Sequence, residues 1–232
     1  MKKLEILERM RKEQVFTPKL LKSFKVGYAN LYLHRLEKQK LIRRIERNLY
    51  TFHSDPFLVA SKIVWPSYLS CWSALKFHNL TEQVPFSLYV VIPYYKRKIV
   101  FENTLIIFIS SKNRNFFGYE KINYRGFEVF VADKEKALID CALFKKASFS
   151  ELMEITKNHF KEIDTKKLFS YLRRVKNKSL IKRFGWLFDS LGKDMHKGMK
   201  RYIDKVYIPL DYAGKKTGEK NNKWMVIENA QS

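Results

Sequence analysis

Apolar residues recur at helical spacing from the start of the chain. Leu4, Leu7 and Met10, with Ile6 alongside, predict a first helix ending near Gln14. Thr17-Pro18 opens a second, because Thr is a favoured N-cap and Pro is tolerated at the first helical position. That helix runs from Pro18 to about Phe24 and is broken by Val26-Gly27. A third spans Tyr28 to Gln39, with Ala29, Leu33 and Leu36 on one face, suited to packing on the first two. Tyr28, Asn30, Leu31, His34, Arg35 and Lys38 fall on its other faces. The pattern then changes from helical to alternating. Leu41 to Ile45 and Asn48 to Phe52 predict two short strands joined at Glu46-Arg47, with Asn48 suited to left-handed backbone. Three helices followed by a basic hairpin is the order of a winged helix-turn-helix, and residues 1–54 are its expected extent.

Beyond the connector His53-Ser54-Asp55-Pro56, a short helix is expected over Phe57 to Val64 and another over Ser67 to Phe77, capped by Ser67. A β-rich stretch follows, with strands at Leu88–Ile92, Ile99–Phe101, Leu105–Ile109, Tyr119–Tyr124 and Phe127–Val131, and a hairpin turn at Arg125-Gly126. Asp133 is placed to cap a helix reaching Phe144, with Glu135 in its first turn. The last third reads as helices over Ser150–Phe160, Thr165–Val175 (capped by Asp164), Leu180–Leu191 and part of Met195–Val206. The expected whole is α+β. An N-terminal winged helix-turn-helix precedes a mixed α+β domain over 55–212, with a small sheet and a helical end. Residues 213–232 are expected to be a flexible tail, with a possible strand at Trp224-Met225-Val226-Ile227.

Charge narrows the class of partner. The 46 Lys and Arg against 23 Asp and Glu leave a formal charge of +23, which favours a polyanion. Residues 1–53 carry 14 Lys and Arg and 5 Asp and Glu. Residues 157–205 carry 15 and 5, so the positive charge is not confined to the amino end. With 46% hydrophobic residues the chain has ample material for a core. Its first residues lead directly into an amphipathic pattern, and no apolar run is long enough to cross a bilayer, so a cytoplasmic location away from membranes is expected. Cys71 and Cys141 have no Cys or His nearby at metal spacing, and two reduced core thiols are expected.

In a winged helix-turn-helix the third helix enters the major groove, where only side chains on its outer face reach base edges. Asn30 and Arg35 suit two-point contacts to bases, and Tyr28 and His34 suit phosphates or thymine methyls. Arg43, Arg44 and Arg47 concentrate charge on the wing, for phosphates or a narrow minor groove. Thr17 and Lys19 on the second helix, Leu31 and Lys38 on the third, and Asn48 in the turn complete the expected DNA-binding set. A purely protein-binding module is the alternative for such a domain; it lacks the salt slope of about −0.9 per neutralised phosphate that DNA binding gives.

Enzymatic signatures are sparse. Asp133, Glu135 and Asp140 form the only dense acidic cluster; on a helix Asp133 and Asp140 share a face while Glu135 points elsewhere. Helix capping accounts for Asp133 and first-turn charge for Glu135. Walker, Gly-x-Ser-x-Gly and His-Glu-x-x-His patterns are missing, as is the Gly-Ser with paired Asp of nucleotidyltransferases. The five His are scattered. No enzymatic activity, metal or cofactor is expected. A nucleic-acid-processing enzyme with a dispersed site is the alternative.

Several stretches together resemble the AbiEi-type antitoxins, transcriptional regulators of toxin–antitoxin and abortive-infection operons. In the amino-terminal part they are Leu33–Lys38, Leu41–Arg44, Arg47–Tyr50 and Asp55-Pro56-Phe57. Further on they are Pro66–Ser70, Ser73-Ala74-Leu75 and Leu80–Pro85. Val131–Asp140 is the most distinctive piece, followed by Arg183–Leu187 and Asn222-Lys223-Trp224. The chain departs from the family at Asn48, where Gly is usual, at Gln39-Lys40 for Lys-Gly, and at Phe184 for Leu. The resemblance implies a regulator that represses its own operon at inverted repeats in double-stranded DNA. It also implies an antitoxin that counteracts a neighbouring nucleotidyltransferase-like toxin as a type IV system, without a stable complex. A stand-alone regulator with no toxin is the other possibility within the same resemblance.

Overall fold

The computed structural model describes residues 3–83 and 86–229, so Val84-Pro85 of the expected loop lie outside the described residues. In chain order its elements are α1 (Lys3–Arg11), α2 (Pro18–Ser23), α3 (Ala29–Lys38), β1 (Arg43–Glu46), β2 (Leu49–Thr51), α4 (Pro56–Ala60), β3 (Tyr68–Leu69), α5 (Trp72–Phe77), β4 (Ser87–Ile92), β5 (Ile99–Phe101), β6 (Thr104–Ser110), β7 (Tyr119–Tyr124) and β8 (Phe127–Ala132). They continue with α6 (Lys134–Leu143), α7 (Phe149–Asn158), α8 (Thr165–Val175), α9 (Lys178–Ser190), α10 (His196–Met199), β9 (Ile208–Pro209), β10 (Glu219–Asn221) and β11 (Val226–Glu228). The fold is mixed α+β, and no helix among the described residues is long and apolar enough to cross a membrane.

The chain divides into two compact units that cut across the segments expected at 1–54, 55–212 and 213–232. The first comprises Met1–Leu69, Phe86–Ser111 and Lys121–Phe130; the second takes Ser70–Pro85, Lys112–Glu120 and Val131–Ser232. In the first unit, Ile6, Met10, Phe16, Leu21, Ala29, Leu33, Leu36, Ile42 and Tyr50 form one buried cluster, with Leu7 packed at its edge. The side chain of Leu4 lies outside the described residues. The hairpin joins the helices through backbone: Phe16 and Tyr50 exchange two N–H···O bonds of 2.9 Å, and the Thr51 hydroxyl donates to Gln14 O at 2.6 Å. Phe16 also packs against the rings of Tyr50 and Phe52.

The small sheet expected beyond the hairpin is larger, with six strands in the order β5-β6-β4-β3-β8-β7. β4 and β6 run parallel, and β3 and β5 are antiparallel to their respective partners β4 and β6. The helix expected over Ser67–Phe77 is corrected here. Its first half is β3, where Tyr68 pairs with Val91 and Leu69 with Val90. All four side chains are fully buried, and a strand covered on both faces loses the alternation that would identify it. Ser67 is not a cap; its hydroxyl donates to Val64 O at 2.7 Å. Cys71, with φ of 51°, turns the chain into α5. Likewise the helix expected over Phe57–Val64 is only α4, begun by Asp55 accepting from Phe57 N and Leu58 N. The β7–β8 turn is as expected, with φ of 52° at Arg125 and 84° at Gly126.

The second unit is built on α6 to α9, whose buried faces supply Leu138, Phe149, Leu152, Phe169, Leu172, Phe184 and Phe188. Asp133, Asp164, Ser148 and Asn177 each cap a helix here with a side-chain oxygen. The closing residues are not simply a tail. β10 and β11 are antiparallel, β11 runs parallel to β9, and Trp224 is fully buried, so the stretch expected to be mobile contributes a sheet edge and a core residue.

Candidate functional site

α3 is amphipathic in three dimensions. Ala29, Leu33 and Leu36 are buried, whereas Tyr28, just before its first turn, is 82% exposed and Leu31 is 47% exposed. Asn30, His34, Arg35 and Lys38 share that outward arc and are exposed. Leu31, Arg35 and Lys38 stand three or four residues apart, which stacks them along one ridge.

Thr17, Lys19, Asn30 and Asn48 are brought together from three separate elements. With Pro18 and Lys22 they line a concavity of about 360 Å³ between the start of α2, the start of α3 and the hairpin turn. Thr17 occupies the N-cap position of α2 as expected, but its side chain makes no capping bond, so Pro18 alone sets the helix start. The turn lies at Arg47-Asn48, one residue later than expected, because the register shifts between Arg44 and Glu46 and Ile45 is turned into the core. Asn48 carries the left-handed backbone, with φ of 61°. Lys22 was missed by sequence reasoning; its spacing of three from Lys19 on a helix is the signal that places both on one side.

Charge on this surface is unpartnered with one exception. Lys19, Arg35, Lys38, Arg44 and Arg47 form no ion pair among the described residues, and all are exposed. Arg43 differs: its Nε lies 2.7 Å from Glu102 Oε1, and Nη1 donates to Phe52 O at 3.4 Å. The three arginines of the hairpin are therefore not one cluster. Arg44 and Arg47 face solvent, while Arg43 is engaged with the turn between β5 and β6.

The acidic cluster lies in the second unit, and its carboxylates are occupied. Asp133 accepts from Lys136 N and from the Tyr171 hydroxyl, both at 2.8 Å, and pairs with Lys167 at 3.1 Å. Glu135 accepts from Asp164 N at 2.8 Å and pairs with the same Lys167 at 3.3 Å. Asp133 and Glu135 thus converge, contrary to the helical-face expectation, because Asp133 sits at the cap and not within the helix. Asp140 is held apart, paired with Lys136 and accepting from the Ser70 hydroxyl at 2.8 Å. Burial alone would depress the Lys167 ammonium, but Asp133 and Glu135 outweigh it and raise its pKa. Burial and the bond to Asp133 likewise raise Tyr171. Among the described residues no group of three or more His, Cys, Asp or Glu is placed to hold a metal. Cys71 and Cys141 are both free and buried. Though distant in sequence they meet, and burial together with the Cys71 thiol pushes the Cys141 thiol well up.

No protein-family profile and no curated protein sequence matches the chain. In fold it is similar to the crystal structure of the RV2827C protein from Mycobacterium tuberculosis. The TM-score is 0.65 at 13% identity, over 96% of this chain and 89% of that one. A likeness at that identity is one of fold.

Proposed function

We propose that α1, α2, α3 and the β1–β2 hairpin are a winged helix-turn-helix, and that the protein is a DNA-binding transcriptional regulator. One observation carries the reading. The exposed arc of α3, the start of α2 and the tip of the hairpin converge on one unpaired cationic surface, with Asn30, Lys19, Thr17 and Asn48 around a shared concavity. α3 is then the recognition helix. Asn30 offers a donor and an acceptor that match an adenine edge, Arg35 offers two donors that match a guanine edge, and Tyr28 and His34 border them. Lys38, Arg44 and Arg47 supply sequence-independent attraction to phosphates.

The test is binding of the purified full chain to a duplex taken from upstream of its own gene, followed by fluorescence anisotropy across a salt series. Phosphate-driven binding falls steeply with salt, by about 0.9 in slope per phosphate. Arg35→Ala costs about 1–3 kcal/mol on the specific duplex and little on a mixed-sequence one. Salt-independent binding, or an Arg35→Ala protein that retains full discrimination, defeats the assignment.

Its proposed second role is that of an antitoxin of an AbiE-like system, counteracting a nucleotidyltransferase-like toxin without a stable complex. The support is the ordered resemblance of Val131–Asp140, Arg183–Leu187 and Asn222–Trp224 to AbiEi-type antitoxins. Co-expression of the full chain with the product of the neighbouring gene tests it through rescue of growth; growth arrest that persists with folded protein present rejects the role.

A further inference from the structure

We propose that the loop between β4 and β5, residues 93–98, is a second DNA-contacting element that grips the sugar–phosphate backbone beside the hairpin. This rests on the DNA-binding reading above and extends it beyond the winged helix itself. The loop reads Pro93-Tyr94-Tyr95-Lys96-Arg97-Lys98, two aromatics followed by three cations. Tyr94 is 50% exposed and Tyr95 78%, two large rings at consecutive positions. Arg97 and Lys98 are exposed and form no ion pair among the described residues.

Lys96 behaves differently from its neighbours, and that difference places the loop. Its Nζ lies 2.6 Å from Glu46 Oε1 and 5.5 Å from the Phe108 ring centroid, so the ammonium is taken up by the hairpin and the sheet. Glu46 immediately precedes the Arg47-Asn48 turn. A second tie runs from Arg43 to Glu102 at the β5–β6 turn. Two acids at the hairpin, Glu46 and Glu102, are therefore paired with Lys96 and Arg43. In the same compact unit Arg44, Arg47, Arg97 and Lys98 are exposed with no acidic partner among the described residues, and Tyr94 and Tyr95 are exposed beside them in sequence.

That combination suits a duplex backbone. Arg97 offers a planar donor fork to phosphate oxygens and Lys98 a mobile point charge. The tyrosine hydroxyls donate to phosphate, and their rings lie against deoxyribose. Because Lys96 fixes the loop to the wing, its contacts fall next to those of the hairpin on the same duplex and lengthen the footprint on one side. Exposed tyrosines also stack on unpaired bases, so a single strand is the competing partner to be tested.

The experiment compares the full chain with the Arg97→Ala/Lys98→Ala double variant. The probes are a mixed-sequence duplex of about 30 base pairs, roughly three helical turns, and a single strand of equal length. Both substituted side chains are exposed, so the melting transition is expected to match wild type. Loss of two phosphate contacts lowers the magnitude of the log K against log salt slope on the duplex by about 1.8. Hydroxyl-radical footprinting on the DNA upstream of the gene is expected to lose protection at one edge only. The conservative Arg97→Lys/Lys98→Arg variant keeps the wild-type slope. An unchanged slope and footprint in the alanine variant overturns the loop proposal while leaving the winged-helix reading intact. Selective loss of single-strand binding with the duplex unaffected overturns it in favour of an unpaired strand. Wild-type protein that binds no duplex removes the DNA-binding reading itself, and this proposal with it.

Discussion

Gly185 and Trp224 lie so close that a Cβ on the glycine would sit 2.0 Å from Cζ3 of the indole. Gly185 is in the interior of α9, where glycine is weaker than alanine by about 1 kcal/mol on propensity alone. Trp224 is fully buried, and its Nε1 donates to Asp189 Oδ2 at 3.1 Å, one helical turn beyond the glycine. The indole cannot retreat without breaking that bond, so the close approach decides the sign. Gly185→Ala is expected to destabilise by about 1–3 kcal/mol, the range for overpacking a core. A urea midpoint equal to or above wild type would mean that the ring can shift and that the glycine serves no packing role.

A second pair tests what the Val131–Asp140 stretch does. Lys136 and Asp140 are both fully buried and paired one helical turn apart, with Ser70 donating to the far oxygen of the carboxylate. Lys136→Met removes the cation from a buried carboxylate and is expected to cost about 3–5 kcal/mol. Lys136→Met/Asp140→Leu removes both charges and is expected to recover most of that loss. Equilibrium unfolding of the two variants provides the check. Additive losses in the double variant would show that the pair is not coupled.

How far the sequence speaks depends on whether a residue's environment has a period. The amphipathic face of α3 was legible because Ala29, Leu33 and Leu36 recur at helical spacing, and the structure buries them with the polar side outward. Asp133 and Asp164 were legible as caps because their role is local, a side chain bonding an amide three residues on. β3 was not, since Tyr68 and Leu69 are buried on both faces and carry no alternation. Arg43 could not be separated from Arg44 and Arg47, because its partner Glu102 is remote in sequence. The meeting of Trp224 with Gly185 is likewise long-range, and it turns a stretch that composition marks as loose into core. Of the candidate site, the outward arc of α3 and the left-handed backbone at Asn48 were legible, while the turn lies one residue later than its sequence reads because of the shift between Arg44 and Glu46. The concavity that joins them to Lys22, and the tie from Lys96 to the hairpin, are products of tertiary packing.

His53 links the hairpin to pH. Burial lowers its pKa below the ordinary value of 6.5, and Asp55 only partly opposes this. Its Nε2 is buried without a hydrogen-bond partner among the described residues, and its ring packs edge-on to Phe127 at 4.8 Å. The folded state therefore binds the proton less readily than the unfolded chain. Between the folded and unfolded pKa values the unfolded state holds more protons, so stability rises with pH through that window and levels off above about 6.5. As pH falls below that value, wild type is expected to lose stability that His53→Phe retains. Parallel stability–pH curves for the two proteins would contradict a lowered His53 pKa in the folded state.

The hairpin arginines offer the sharpest separation between stability and binding. Arg43 is committed to Glu102, in a pair whose side chains are 38% and 43% exposed. Pairs of that kind contribute about 0–1 kcal/mol. Arg43→Ala is therefore expected to cost at most about that much stability and to leave the salt slope of duplex binding unchanged. Arg44 has no acidic partner among the described residues and faces solvent. Arg44→Ala is expected to leave the unfolding midpoint alone, weaken every duplex to a similar degree and flatten the slope by about 0.9. If Arg43→Ala lowers the slope as much as Arg44→Ala does, Glu102 releases its arginine when DNA arrives, and the ion pair marks a switchable contact. If neither changes the slope, the hairpin does not touch the backbone, and any duplex contacts of the protein lie on its other elements.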